Sequence, residues 1–186
     1  MATFNVEEAA RQGRSDAIPS TWTKFPASRS AIQTNIIIYI VGAVLLFGLA
    51  LYVLITGSLP GGTRGDDGFA PFELVALIAF GCLFLSIGLR LIPPLFKSGQ
   101  YFFLITGDGF VYATDRKLMG LPLAEISTAY RQAGLLGGKM VVRQRAGGSL
   151  NIPLGHFYTT KAVREMEETL NASVKALGTG KSRKRA

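Results

Sequence analysis

The sequence predicts a two-helix membrane hairpin joined to a small cytoplasmic α+β domain, in which five to six antiparallel strands are capped by one C-terminal helix. Three observations carry this expectation. No charged residue occurs between Arg29 and Arg64, and residues 36–55 inside that gap are apolar throughout. A second apolar run, residues 72–92, holds charge only near its ends, at Glu73 and Arg90. Beyond Pro94 the texture changes to short alternating runs broken by glycine, followed by one amphipathic segment. Composition agrees with the division. Of 186 residues 17% are charged and 48% are hydrophobic, with a mean hydropathy of +0.31, too apolar for a disordered chain.

As an α-helix the first run measures about 30 Å, the thickness of a bilayer's hydrocarbon. A core helix of a soluble protein seldom reaches that length without a polar stripe. A cleaved leader has a shorter apolar core and a small-residue exit, whereas this run follows a preamble containing Glu7, Glu8 and Asp16. Two permanent spans are therefore expected, at 36–55 and 72–92, within a hairpin region 34–95 whose outer loop is 56–71. Pro93 and Pro94 are expected to end the second helix, because neither donates an amide and proline restricts the residue before it. Arg90 reaches the interface by snorkelling, and Trp22 and Phe25 are expected as anchors at the inner interface. Gly42, Gly48, Ala79, Cys82 and Ser86 are small enough to let helices approach closely, and the last three share one face.

Four basic residues precede the first span and fourteen follow Pro94, while the connector has Arg64 beside Asp66 and Asp67. This asymmetry places both termini in the cytoplasm. Residues 1–33 read as an irregular cytoplasmic arm with a short helix around 6–12.

In the domain, residues 101–106 and 110–114 flank Gly107-Asp108-Gly109 as a tight hairpin. Residues 119–125 read as extended around Pro122, and 126–131 as the next strand. A second hairpin joins 139–145 to 149–154 through Ala146-Gly147-Gly148. Val163, Met166, Leu170, Val174 and Leu177 then form one apolar stripe behind a cap at Thr159 or Thr160. Gly178 is expected to end that helix, which bounds the domain at 97–178 and leaves 179–186 as a basic tail.

The order of two membrane helices, a small antiparallel sheet and a closing helix resembles the membrane-anchored bacterial PH-like domains. The likeness rests on ITGDGFVYAT, LPLAEISTAY, MVVRQRAGGSLNIPL and the final amphipathic helix, over residues 100–177. It implies a strongly bent, half-open barrel capped by the helix, held at the cytoplasmic face of a bacterial inner membrane, with scaffolding or lipid-proximal work. One departure matters. PH domains that grip phosphoinositide headgroups use basic residues in and around the first hairpin loop, and here that loop is Gly107-Asp108-Gly109, short and acidic.

Catalytic raw material is scarce. The single cysteine, Cys82, excludes an intramolecular disulfide, and with one histidine, His156, no metal centre or cofactor site is expected. The tail sequence GTGKS echoes a phosphate-binding loop, but that motif needs glycine where Lys175 stands and a helix afterwards. No carboxylate pair or nucleophile constellation emerges, so no enzyme is expected. The charge says more. The chain carries +8, and from Lys97 onward fourteen basic residues face six acidic ones. Lys139, Arg143 and Arg145 alternate onto one strand face, and Lys181, Arg183, Lys184 and Arg185 form a tail patch. Near an anionic surface each such residue contributes about 1 kcal/mol. These seven are the expected contacts for an anionic lipid or a membrane-protein partner. Nucleic acid is not expected, since no aromatic–basic interleaving occurs. The sequence thus points to a non-enzymatic, two-span interaction protein. Other readings are an accessory subunit of a large respiratory or photosynthetic membrane complex and, last, a small oligomeric transporter or channel.

Overall fold

The computed structural model describes residues 4–15, 18–57, 71–134 and 138–183. The chain divides into two units, one comprising Met1–Ala31 with Lys97–Ala186 and the other Ile32–Phe96. The first is discontinuous in sequence. Ahead of the apolar helices it contributes α1 (Val6–Arg14) and β1 (Thr23–Pro26). After them come β2 (Phe102–Ile105), β3 (Gly109–Ala113), β4 (Leu118–Pro122), β5 (Ile126–Gln132), β6 (Lys139–Gln144), β7 (Ser149–Pro153) and α5 (Thr160–Arg183). The second unit is made of α2 (Arg29–Thr56, from Ile32 onward), α3 (Pro71–Arg90) and α4 (Ile92–Phe96).

All strand pairs are antiparallel, in two sheets ordered β1-β2-β3-β4 and β5-β6-β7. The strand beyond the expected five to six is β1, which comes from the arm that reads as irregular in sequence. It pairs with β2 from Thr23 opposite Ile105 to Pro26 opposite Phe102. Proline is tolerated there because β1 is an edge strand.

Burial in the first sheet is two-sided. Every residue of β2 and β3 is buried, and a continuous apolar run is the mark of a strand covered on both faces. One face, with Phe102, Leu104, Val111 and Ala113, packs on Ala9 and Ala10 of α1, joined by Phe4, Val6, Ile18 and Trp22. The other carries Phe103 and Phe110, stacked at 5.3 Å, and Tyr112, whose hydroxyl donates to the Pro153 carbonyl at 3.0 Å. The helix sits close because its contact surface is small. A Cβ on Gly13 would lie 2.7 Å from the Phe102 ring, and one on Gly120 would lie 2.5 Å from the Phe110 carbonyl oxygen. Asn5 caps α1 by accepting the Glu7 and Glu8 amides at 3.0 and 3.1 Å.

Both hairpin turns of this sheet are closed by threonine. The Thr106 hydroxyl accepts the Gly109 amide at 3.0 Å, and the Thr114 hydroxyl accepts the Lys117 amide at 2.8 Å. Among the described residues, positive φ in the domain is confined to Gly147 and Gly148, in the β6–β7 turn. At the other end of the domain, Thr159 caps α5, its hydroxyl accepting the Ala162 amide at 3.2 Å. Met166, Leu170 and Val174 are buried along the expected stripe. The helix does not stop at Gly178 but continues to Arg183. A mid-helix glycine costs only about 1 kcal/mol, which a 24-residue helix absorbs.

In the second unit α2 and the α3–α4 path are each long and apolar enough to cross a membrane. Only 22% and 17% of their most apolar windows is buried, and Ile37, Val44, Leu45, Val75 and Phe80 are exposed. A soluble core helix shows the opposite profile. The two helices meet through reciprocal phenylalanine–glycine contacts. A Cβ on Gly42 would lie 2.7 Å from Phe84, and one on Gly81 would lie 2.9 Å from Phe47, while Tyr39 meets Phe84 edge-on at 5.5 Å. α3 ends at Arg90, just ahead of Pro93 and Pro94 as expected, and the short α4 follows. Both prolines sit in the first turn of α4, where proline's missing amide has no intrahelical role, and the break falls at Leu91. Most of the outer loop lies outside the described residues.

Candidate interaction surface

Strand periodicity gives the β5–β7 sheet one apolar face and an opposite face on which Lys139 and Arg143 flank the buried Val141. On β6, Met140 and Val142 are fully buried, so Lys139, Val141 and Arg143 occupy the opposite face. Register adds neighbours. Gln132, Tyr130 and Thr128 of β5 stand opposite Lys139, Val141 and Arg143, as do Pro153, Asn151 and Ser149 of β7. The Arg143 guanidinium lies over the Tyr130 ring at 5.3 Å, which fixes a flexible cation at low entropic cost.

This face is electrically uncompensated. The ion pairs among the described residues join Arg11 to Glu8, Arg116 to Asp115, Arg131 to Glu167, Lys161 to Glu165 and Arg164 to Glu168. None involves Lys139 or Arg143, and no carboxylate stands among their register neighbours. Arg145 behaves differently. Register slips between Ile126 and Thr128, and the Arg145 side chain turns in to donate to the Ile126 carbonyl at 2.9 Å, so its guanidinium braces the irregularity.

Of the tail cations, Lys181 and Arg183 fall on the last turn of α5, and Lys184 and Arg185 lie outside the described residues. Trp22 packs with α1 against the first sheet, and Phe25 stands in β1 opposite Phe103. Both aromatics are therefore used in covering and extending that sheet. Arg90 is exposed at the end of α3. Of the small helix residues, Gly42 belongs to the α2–α3 seam, Gly48 has nothing within 4 Å, Ala79 and Cys82 are exposed, and Ser86 is half-buried. Gly81 and Gly88 also lie in the seam, and composition alone does not distinguish them from Gly48. Tyr130 joins the basic face only through register, which no local pattern reveals.

Where the chain leaves and re-enters the first unit, the ends are fastened together. The Ala27 amide donates to the Tyr101 carbonyl at 2.9 Å, the Ser28 amide to the Phe157 carbonyl at 2.8 Å, and Arg29 Nε to Ser98 Oγ at 3.1 Å. Tyr101 stacks on Phe157 at 5.1 Å and donates to Asp115 at 2.6 Å. Burial first, and that hydrogen bond second, raise the Tyr101 phenol above the ordinary tyrosine range. Among the described residues, no three of His, Cys, Asp and Glu converge as a metal site would require.

No protein-family model matches the chain, and no curated protein matches it.

Proposed function

We propose that this chain is a non-enzymatic integral membrane protein of a bacterial inner membrane. In this reading α2 and α3 are solvated by acyl chains, and the flanking segments build a PH-like module. The module docks the basic face of β5–β7 onto an anionic target, either an acidic patch of a membrane-protein partner or the anionic leaflet. The observation that carries the docking is the pair Lys139 and Arg143, two cations on one face without a carboxylate partner among the described residues. The arrangement of four and three antiparallel strands with one closing helix supports the PH-like reading. The β1–β2 pairing supports a shared compartment for both flanks, since strands in one sheet must lie on one side of a bilayer. The basic surplus after Lys97 favours the cytoplasm for that side.

The test is a paired charge reversal, Lys139→Glu with Arg143→Glu, in the full chain expressed in its native membrane. Association with the captured partner, or with vesicles containing anionic lipid, is expected to fall by more than about tenfold at low salt, at about 1 kcal/mol per cation removed and more for reversal. Unchanged association of both kinds overturns the reading. A second reading, an accessory subunit of a larger membrane complex, is favoured by Gly48, Ala79 and Cys82, which face outward and take no part in the α2–α3 seam. Stoichiometric recovery with a complex in mild detergent, lost in Gly48→Leu with Ala79→Leu, would establish it.

A further inference from the structure

The two outer strands of the β5–β7 sheet end differently. On β5 the outward amide and carbonyl of Ala129 are both taken by the Asn171 side chain. On β7 the outward groups are open. The Gln144 amide donates to the Gly148 carbonyl and the Leu154 amide to the Gly138 carbonyl, each at 3.2 Å. These two bonds bracket the β6–β7 ladder, and an antiparallel ladder alternates between bonded and non-bonded pairs. Leu150 and Ile152 therefore bond to β6, whereas the amides and carbonyls of Ser149 and Asn151 point away from it. Among the described residues no other strand or loop takes those groups, and both residues are exposed. Pro153 closes the run at one end, having no amide and a carbonyl that accepts from Tyr112. Between that proline and the Gly147-Gly148 turn, Ser149 and Asn151 offer an added strand one donor and one acceptor apiece.

Charge selects the occupant. A strand laid on β7 lies two strand spacings from β6, about 10 Å. Only the short Ser149 and Asn151 side chains stand between it and the Lys139–Arg143 face, so a lysine or arginine from one side and a glutamate from the other span the gap. Neither cation has a carboxylate partner among the described residues. A second copy paired β7 to β7 would instead bring its own Lys139 and Arg143 to the same sheet face, adding like charge. We propose that the β7 edge binds an extended acidic segment of a protein partner as an added strand, with alternate acidic side chains over the Lys139–Arg143 face. This pairing rests on the anionic docking given above and makes its target a protein segment rather than a lipid.

The probe is a labelled peptide of about ten residues in which threonine and glutamate alternate, so that every glutamate falls on one strand face. It is titrated by fluorescence anisotropy against the full chain in a non-ionic detergent at low salt. The wild type is expected to bind it, and to bind a threonine–glutamine counterpart about tenfold more weakly. The glutamates that share a face with Lys139 and Arg143 are also the residues that bond to the edge. N-methylation of the glutamates therefore removes those donors, keeps the charge and is expected to weaken binding about tenfold. Asn151→Pro deletes an outward amide without breaking the β6–β7 ladder and is expected to do the same, whereas Asn151→Thr is expected to keep binding. Equal binding of the N-methylated peptide by the wild type overturns the proposal, including where Asn151→Pro fails to fold. Equal binding of the glutamine peptide, or no binding of the glutamate peptide, overturns it too. A two-chain mass in detergent that Asn151→Pro abolishes gives the edge to a second copy, with the same consequence. The two readings fail separately. Lys139→Glu with Arg143→Glu that leaves association with partner, vesicles and peptide unchanged defeats the docking face. Loss of association on that reversal, with full binding of the N-methylated peptide, defeats only the added strand.

Discussion

The amide of Asn171 occupies the free edge of β5, accepting the Ala129 amide at 2.9 Å and donating to the Ala129 carbonyl at 2.8 Å. One side chain on α5 thereby supplies both bonds that a neighbouring strand would supply. Replacement by leucine, of similar volume, is expected to cost about 2 kcal/mol, roughly 1 for each bond and with the Ala129 groups left unpaired. The midpoint of thermal or denaturant unfolding reads this directly. The buried tyrosines give a second residue-scale prediction. Burial raises the phenols of Tyr101, Tyr112 and Tyr158. A raised pKa means that the fold favours the neutral phenol, so this contribution is complete below the unfolded value near 10.0 and is lost as pH climbs from there towards the folded values. Base unfolding is expected to begin above about pH 10, with these phenols ionising only as the domain opens. Tyr112→Phe is expected to cost about 1 kcal/mol, because the Pro153 carbonyl loses its donor. Tyr158→Phe is expected to be neutral or stabilising at pH 7 and to soften the alkaline loss, since its hydroxyl has no partner among the described residues.

Among the elements, what was legible in sequence followed local periodicity. The alternation of KMVVRQ and the stripe of α5 gave β6, its two faces and the helix core, and the apolar runs gave α2 and α3. The segment FFLI also held the information that β2 is covered twice over, because no position in it is polar. The identity of the second cover was not legible, since VEEAARQGR has only a narrow apolar edge of alanine and valine. Nor was β1, where TKFP lacks alternation and ends in proline; its strand form follows from the open edge of β2. Arg145 left the expected basic face because a register irregularity is not a compositional signal. Two element-scale predictions follow from close contacts. Gly120→Ala is expected to cost about 2 kcal/mol, since the obstructing atom is a backbone oxygen in β3, whereas Gly13→Ala meets a movable ring and costs less. Thermal unfolding of the two variants separates them. In the apolar pair, Gly81→Val is expected to destabilise the hairpin in detergent and Gly48→Val to leave it unchanged, because Phe47 crowds one position and nothing lies within 4 Å of the other.

At the scale of the whole molecule, the first unit is drawn from both flanks of the apolar helices. A fragment beginning at Lys97 lacks β1 and α1, and so bares the face formed by Phe102, Leu104 and Val111. That fragment is expected to aggregate and to bind hydrophobic dyes. Joining residue 28 to residue 98 through a short flexible linker is expected to give a soluble, cooperatively unfolding domain, because Pro26 and Phe102 already stand opposite one another. Circular dichroism and size-exclusion chromatography compare the two. The basic candidate face was partly legible for the same reason that β6 was, whereas Tyr130 and the open edge of β7 depend on which strands become neighbours.

The β1–β2 ladder also sets an order of events during biosynthesis. β1 leaves the ribosome first and has no partner until both apolar helices have been made. On the proposed membrane placement, a chain that threads the bilayer once instead of twice leaves β1 and β2 in different compartments, and the ladder cannot form. Completion of the domain then reports correct insertion, and misthreaded chains are left with an unpaired sticky edge for quality-control proteases to find.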